Sequence, residues 1–575
     1  MKRCSDHIRL VLLFICCFAA TITSAACTSI VVKNQAEFDR LQEKLTTTIK
    51  AGKKNIHIKL LPGTYIAKEK HLTLNGITAI DTKIHIKGKD AIVVPSGREY
   101  HHGDTYQGEF SPDNCWMSGF KDIETWSYIK YADGLVEVLD TVENYCRITC
   151  KEAFADNTDF SNAYILIPHW YQSSVYKINK IDGRYIYFIA DDLKKSSYGG
   201  YNINDDYNYG KKDIRYKLCN VATSVDCISV VDGKVRLPNG ITAVWEGKIH
   251  NFLTIKNCKF SSVEITGIQF TGNAYSKSNP AIYIKDSEFK SVRIHRCGFH
   301  GMRGNVISIT ASPNVSIDNC QFEDCYYYGI KSNNESANTI VEKNHFTSMG
   351  KRMSNTPCVR CQGTDYRVSD NVFLNFGYGG ISTGLWYKSK MKQPCVGIIE
   401  NNDLSYDQDY LNHIDNYSIM DGGAIYVATK NASSIVHYNY IHGFSGMKSN
   451  RGIFCDDGAY NIEIYGNVIT NISNSRCIDS RRVTKVEQSS FPESDIDRAN
   501  VNIIIRDNIV DGSIRFEAHE DPDNGCVKGV NYILPTKDGS MPRMIVNHVV
   551  DQKEDVLLDA STSIKKTKNK LKLKK

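Results

Sequence analysis

The sequence predicts an all-β chain: a right-handed parallel β-helix solenoid with an N-terminal helical cap and an inserted β-rich module. Three observations carry this. A phrase returns between about residues 250 and 510, in which a short apolar strand is followed by Asn-X-aromatic or Asn-X-aliphatic. It reads Ile307…Asn319, Ile330…Asn344, Val359…Asn371, Ile381…Asn402, Ile425…Asn439 and Ile453…Asn467. Five of the gaps are 12 or 14 residues; the fourth is 21, because Leu385–Cys395 reads as an inserted loop. A fixed turn residue at a period of this length marks a solenoid. The units themselves are β-branched and aromatic runs separated by Gly, Asn, Asp and Ser, with little helical period.

The elements follow in order. Residues 1–26 open Met1-Lys2-Arg3, run through Leu10–Ile15 and reach small residues before Cys27. A basic start, a short apolar run and small residues at the cut make a secretory signal peptide. The apolar run is too short for a membrane span, and no other stretch of the chain is apolar enough to cross a bilayer. Cys27 is a candidate lipid anchor, although position 24 is Ser where Leu is usual. The protein is therefore expected to be exported, to the periplasm, outer surface or exterior. Residues 27–95 hold a strand (Ser29–Val32), an amphipathic helix (Gln35–Lys50) and strands at Ile56–Leu61 and Thr82–Val94. A helix over the first coil protects the open end of a solenoid. Residues 96–245 break the rhythm with Tyr- and Trp-rich, hairpin-like runs (Ala163–Pro168, Tyr176–Ile181, Tyr185–Ala190) and read as an inserted β-rich module. From 246 to 512 the coils run nearly unbroken. Residues 513–575 read as a C-terminal cap and a frayed basic tail.

Charge narrows the partners. The formal net charge is +6. The leader contributes +2 (Lys2, Arg3, Arg9 against Asp6) and residues 551–575 contribute +4 (eight Lys against four acids), so the body nets zero. A neutral body argues against nucleic acid as the partner. Of 19 cysteines, Cys4, Cys16 and Cys17 leave with the leader. Cys258, Cys297 and Cys320 sit beside the repeat turn as small buried side chains, and disulfide pairing is not readable. Cys358-Val359-Arg360-Cys361 looks like a metal knuckle, but strand alternation points its two thiols to opposite faces. With no phosphate loop, nucleotide fingerprint or metal cluster, neither cofactor nor metal is expected, and the chain is expected to act as a monomer.

Alternation also predicts an ordered outer face. Aligned on the inward Ile or Val, the next residue of each coil faces out: Ser308, Lys331, Arg360, Ser382, Tyr426, Phe454 and Asp479. Two residues further on, the outward set is Thr310, Asn333, Gln362, Gly384, Ala428, Asp456 and Arg481. Cations stand upstream, aromatics in the middle and carboxylates downstream. Glycosidic hydrolysis needs two carboxyl groups about 5 to 9.5 Å apart. Asp456 faces the groove. Asp479, one coil on and two residues back, should have its Cα roughly 8 Å from that of Asp456. Asp421 precedes Gly422-Gly423, glycines that would let the chain turn. Asp457 points inward and reads as a turn cap before Gly458. Each Asp alone also reads as a turn residue; their joint occurrence on adjacent coils favours a site. The loops Leu385–Cys395, with Trp386 and Tyr387, and Ser405–Met420 lie near the same coils, as functional loops on rigid scaffolds do. His437 and His442, flanking Asn439, read as turn or core histidines.

The phrases Asp421-Gly-Gly-Ala-Ile-Tyr426 and Gly452-Ile-Phe-Cys-Asp-Asp-Gly458 resemble paired phrases of exported β-helix glycoside hydrolases. They are similar to those of family 141, with fucosidase and xylanase activities, and more distantly of family 120, with β-xylosidase activity. Those proteins also interrupt an early coil with a β-rich module. The resemblance covers residues 28–512 in architecture and 420–458 in motif. It implies catalytic carboxylates at Asp421 and at Asp456 or Asp457, and it does not carry a substrate over. Ile330-Lys331-Ser332 and Val359-Arg360 more weakly resemble the Lys and Arg phrases of the family 6 polysaccharide lyases. There a basic residue removes a proton beside a uronate carboxylate that a cation neutralises. Those lyases place calcium-binding glutamates just upstream, whereas Asp324–Tyr328 here has no Glu. Lys331 and Arg360 would alternatively hold the carboxylate or sulfate of an acidic glycan in a hydrolase groove.

The expectation is thus a carbohydrate-active enzyme, foremost a glycoside hydrolase of a poly- or oligosaccharide. Its preferred carboxylates are Asp421 and Asp456, with Asp457 and Asp479 in reserve, and Tyr426, Trp386, Lys331, Arg360 and Arg451 line the groove. A polysaccharide lyase and a non-catalytic glycan-binding or adhesive β-helix remain open as alternatives.

Overall fold

A computed structural model describes residues 27–574 except 69–70, 108–114, 119–127, 139–144, 151–152, 154–163, 169–172, 190–213, 220–228, 238–242, 248–250, 273–279, 303, 326, 351–355, 386–389, 408–421, 429–431, 445–450, 457–458, 473–475, 481–500, 519–522, 536–539, 560 and 568–569. The leader and the candidate site residues Trp386, Asp421 and Asp457 lie outside the described residues.

Parallel strands wind into three walls. One wall is a single sheet of twelve strands, from Leu72–Asn75 through Ile330–Ser332, Val359–Cys361, Gly423–Val427, Arg451–Cys455 and Arg476–Ser480 to Met544–Asn547. The other two walls are continuous with each other because Thr78–Pro95 and Lys259–Thr271 bend across both. Inward Ile and Val of each coil stack on their equivalents: Ile307 on Ile330, Ile330 on Val359, Val359 on Ile381, Ile381 on Ile425, Ile425 on Ile453 and Ile453 on Ile478. All are fully buried. The core is therefore a set of columns rather than a cluster, and the phenylalanines show it. Phe270, Phe299, Phe322, Phe346 and Phe373 form one stack with ring centroids 4.6 to 5.0 Å apart.

The repeat asparagines form a second internal column. The side chains of Asn344, Asn371, Asn402, Asn439, Asn467 and Asn508 each donate Nδ2 to the Oδ1 of the next, at 2.9 to 3.0 Å, ending on Asn531. Each Oδ1 from Asn371 to Asn531 also accepts the preceding asparagine's backbone N–H, and each Nδ2 reaches a strand carbonyl, as Asn402 does to Val368. The buried amides are thereby satisfied by one another. The ladder ends where Asp555 accepts the Asn531 N–H (3.0 Å) and pairs with the buried Lys528 (2.7 Å). One expectation is corrected here. In the coil beginning at Ile307 the ladder position is Cys320, whose N–H donates to Asn344 Oδ1, and not Asn319. Asn319 takes the preceding left-handed turn (φ 54°), the place of Lys343 (φ 55°) and Asp370 (φ 56°) in later coils.

The N-terminal cap is two helices, not one: Gln35–Asp39 and Leu41–Lys50, separated at Arg40. Asn34 Oδ1 caps the first by accepting the Glu37 N–H. Phe38, Leu41, Leu45 and Ile49 are buried over the first coil. After Pro95 the chain leaves the solenoid through Gly97–Tyr100 and returns through Ala243–Gly247, which pair antiparallel. Between them, the six strands Tyr128–Val138, Tyr145–Cys150, Tyr164–Pro168, Ser173–Asp182, Tyr185–Ile189 and Ile214–Cys219 close into an antiparallel barrel. The coils on either side of this insertion stack directly, Leu253 on Leu72 and Ile255 on Leu74. Coiling also continues past 512: Ser513–Glu517 pairs with Met544–Asn547, and the short strands Asp551–Gln552 and Val556–Leu557 complete the last turn. The basic tail is a two-stranded hairpin, Ser563–Thr567 with Lys570–Lys574.

Twelve described cysteines are free thiols, all but Cys27 buried. Cys358 and Cys361 both point into the core, against the expected opposite faces. Cys358 lies at a corner where its carbonyl accepts the N–H of both Gly329 and Ile330, so strand alternation has not yet begun. Among the described residues no cluster of His, Cys, Asp and Glu could hold a metal, and no helix is long and apolar enough to cross a membrane.

Candidate active-site groove

The outward column predicted by alternation exists as a run of register partners on the twelve-stranded wall. Ser308 pairs with Lys331, Lys331 with Arg360, Arg360 with Ser382, Ser382 with Tyr426, Tyr426 with Phe454, and Phe454 with Asp479. The column continues to Arg515, which the prediction had not included. Extending the phrase one coil to Ile514 would have found it.

The middle of the groove is aromatic. The rings of Tyr378 and Tyr426 are 6.1 Å apart, and Tyr426 meets Phe454 edge-on at 5.6 Å. The guanidinium of Arg451 lies 3.8 Å over the face of Phe454. This cover leaves Phe454 fully buried although it points away from the core. Gly422 and Gly423 shape this region by close approach rather than by a turn. A Cβ on Gly422 would stand 2.5 Å from the Tyr378 carbonyl oxygen, and one on Gly423 3.0 Å from Phe454 Cβ.

Two of the sequence-predicted carboxylates, Asp456 and Asp479, are described on this wall, and their surroundings differ. Asp456 is nearly buried, and its Oδ2 accepts a 2.7 Å hydrogen bond from the Tyr426 hydroxyl. Asp479 sits opposite Phe454, one strand on and two residues back from Asp456. Its carboxylate is fully buried and surrounded by guanidinium groups: Arg451 Nε at 2.6 Å, Arg476 Nη1 at 2.9 Å, Arg515 Nε at 2.6 Å and Arg515 Nη2 at 3.0 Å. Burial alone would raise its pKa. The charges of Arg451, Arg515 and Arg476 outweigh that and hold it below the ordinary aspartate value. A carboxylate so held stays ionised near neutrality.

At the upstream end, the heads of Lys331 and Arg360 lie 5.3 and 5.0 Å from one ring, that of Tyr328. Burial, then the charge of Arg360, lowers the Lys331 pKa. The described part of the loop after Leu385 folds back on this end: Lys392 and Gln393 donate backbone N–H groups to Asn334 Oδ1, and Lys392 pairs with Glu335 at 2.6 Å. His437 and His442 stand on the other two walls, one on each, and each lies 3.0 Å from a carboxylate, Glu400 and Asp403.

The family model of the right-handed β-helix region matches residues 239–397. No curated protein matches the sequence. Among solved structures the chain is similar to one described as a glycoside hydrolase, at 12% identity over 92% of this chain and 97% of that one, with a TM-score of 0.50. The chain contains a right-handed parallel β-helix. Weaker likenesses are to XylC in complex with xylose (11% identity, 90% and 83% covered, TM-score 0.39) and to the A-module of the Azotobacter vinelandii mannuronan C-5 epimerase AlgE6 (12%, 92% and 97%, TM-score 0.39). At these identities the likeness is one of fold.

Proposed function

We propose that the chain is an exported glycoside hydrolase, similar in its motif to family 141, that cleaves a glycan lying along the twelve-stranded wall. The observation that carries this is Asp456, held on the outward side of the groove by the Tyr426 hydroxyl at 2.7 Å, beside a row of aromatic rings. A donor to its Oδ2 suits the carboxylate that must be ionised, the base or nucleophile of the pair. Asp421 supplies the acid, and Asp457 is the alternative to Asp456; Asp479 holds Arg451 in place and exchanges no proton. The partly exposed Tyr426 offers a stacking surface for a sugar ring, with the buried Tyr378 behind it. The test is release of reducing ends from a panel of glycans. Asp456→Asn and Asp421→Asn should each lose at least about a hundredfold in turnover, the scale of a lost acid or base. Full turnover in both variants refutes the reading, and unchanged glycan binding with no turnover in any protein favours a binding module instead.

The lowered pKa of Lys331 supports a second reading, elimination from a uronate with Lys331 as base. Absorbance of an unsaturated sugar, lost in Lys331→Met and kept in Asp456→Asn, would establish it. Export rests on the leader of the sequence. Cys27 is exposed at the start of the first strand, paired with Asn55, where a lipid would meet solvent or membrane. The mass of the mature N-terminus tests that part.

A further inference from the structure

We propose that Lys331 and Arg360 form a clamp for an oxyanion carried by the substrate, so that the groove takes an acidic glycan, one bearing uronate carboxylates or sulfate esters. This rests on the hydrolase reading and names the substrate class of its groove.

The argument begins with two like charges. Lys331 and Arg360 are register partners on adjacent strands, about 4.8 Å apart at the backbone, and both point outward. Adjacent cations in proteins are ordinarily balanced by acids. Here, among the described residues, neither makes an ion pair or a hydrogen bond, and Arg360 Nε is buried without a partner. The acid nearest in sequence, Glu335, is occupied by Lys392 at 2.6 Å and receives Asn333 Nδ2 at 3.3 Å. What the two heads share is the face of the buried Tyr328 ring, which orients them and brings no formal charge.

The contrast within the same column is informative. Downstream, three arginines converge on one carboxylate, Asp479. Upstream, two cations converge on none. An anion between them would complete the second arrangement as Asp479 completes the first. It would also remove the repulsion that, after burial, lowers the Lys331 pKa. The neighbours of the pair in the column are small and buried, Ser308 one strand before and Ser382 one strand after, so no bulky side chain of the column crowds the two cation heads. The planar fork of Arg360 matches a carboxylate or sulfate, and Lys331 adds a point charge. Arg360 stands two strands from Tyr426, roughly 10 Å along the wall. The charged group therefore belongs to a ring displaced from the bond that Asp456 addresses, not to the ring being cleaved.

The test uses the full mature chain carrying Asp456→Asn, so that binding is read without turnover. Calorimetric titrations compare a galacturonate oligosaccharide, a sulfated galactan oligosaccharide and a neutral xylo-oligosaccharide. One acidic ligand should bind at least about tenfold tighter than the neutral one, the size of one charge-assisted contact. Which of the two does so identifies the anion. Lys331→Met and Arg360→Met should abolish that advantage, and salt of about 1 M, where screening is nearly complete, should do the same. Equal affinities for all three ligands, or an acidic preference that survives both substitutions, overturn the proposal. A probe that needs no matching sugar is inorganic sulfate. At matched ionic strength it should raise the melting temperature of the parent chain relative to chloride by more than the general salting-out rise of the Lys331→Met/Arg360→Met double variant; an equal rise in both overturns the clamp. Because binding is read in an inactive chain, the two readings fail separately. Acidic preference without hydrolysis by the wild type removes the hydrolase and keeps the clamp, and hydrolysis of a neutral glycan without acidic preference does the reverse.

Discussion

Replacing Asp479 by Asn keeps the side chain's shape and removes its charge, and the surroundings fix what that costs. The carboxylate is fully buried and accepts four hydrogen bonds from three arginines. An amide has one acceptor oxygen and turns an NH₂ group toward guanidinium donors, so some of these contacts become donor against donor. Arg476 is about a third exposed (36%), and its share is screened to the level of a surface pair, at most about 1 kcal/mol. Arg451 and Arg515 are each 14% exposed, and removing their anion is the breaking of a buried pair, about 3–5 kcal/mol. The predicted loss for Asp479→Asn is therefore about 3–5 kcal/mol. Asp456→Asn provides the comparison: Oδ1 of the amide still accepts from Tyr426, so stability should fall by no more than about 1 kcal/mol while turnover is lost. The assay is urea denaturation of both variants. Since a solenoid can unfold in parts, amide exchange over Arg451–Cys455 and Arg476–Ser480 is measured beside the global transition. A loss below about 1 kcal/mol in Asp479→Asn, or a larger loss in Asp456→Asn, refutes the division of labour between the two carboxylates. The pH dependence has a definite sign. The folded-state pKa of Asp479 is depressed, so its contribution is complete above the ordinary value of 3.8 and is lost as pH falls through the folded-state value. Wild-type stability should show this acid limb, and Asp479→Asn should lack it.

Asn402→Ala should cost at least about 3 kcal/mol, because it strands the Asn371 N–H, an Asn371 amide hydrogen and the Val368 carbonyl, each a buried orphan of about 1–3 kcal/mol. Asn319→Gly, at a left-handed turn outside the ladder, should be near neutral in the same melt. Tyr426→Phe removes the Tyr426 donor from Asp456 and should lower kcat about tenfold with little change in KM, measured on whichever glycan the panel identifies. Gly422→Ala drives a Cβ against the Tyr378 carbonyl and should destabilise by about 1–3 kcal/mol while reducing turnover, read by melting temperature and steady-state kinetics.

The coils were legible because alternation is a local rule: once Ile425 is inward, Tyr426 is outward, and its partners Ser382 and Phe454 follow from the period. The rule broke where backbone geometry is not a strand, at the corner that turns Cys358 inward and at the turn where Asn319 and Cys320 exchange places. Burial on the outward side was not legible either. Phe454 faces out yet lies under Arg451, and the contacts of Asp479 arrive from Arg515, 36 positions away, through coiling alone. The last coils were missed because strands of two residues, such as Val527–Lys528 and Tyr532–Ile533, carry no readable period. The break of the cap helix at Arg40 left the apolar stripe intact, so its burial was predicted and its geometry was not.

The pairing of Gly97–Tyr100 with Ala243–Gly247 has a consequence for the chain's history and for its handling. The two ends of the insertion are hydrogen-bonded neighbours about 5 Å apart, and the coils before and after it already lie in register. The barrel hangs from the solenoid like a bead tied at one point of a cord: it adds a long excursion of sequence and takes no step along the winding axis. Excising it behind a short Gly-Ser bridge would shorten the polypeptide without shifting any later coil. A gene encoding such a chain could acquire, exchange or lose that domain in one event while the groove kept its frame.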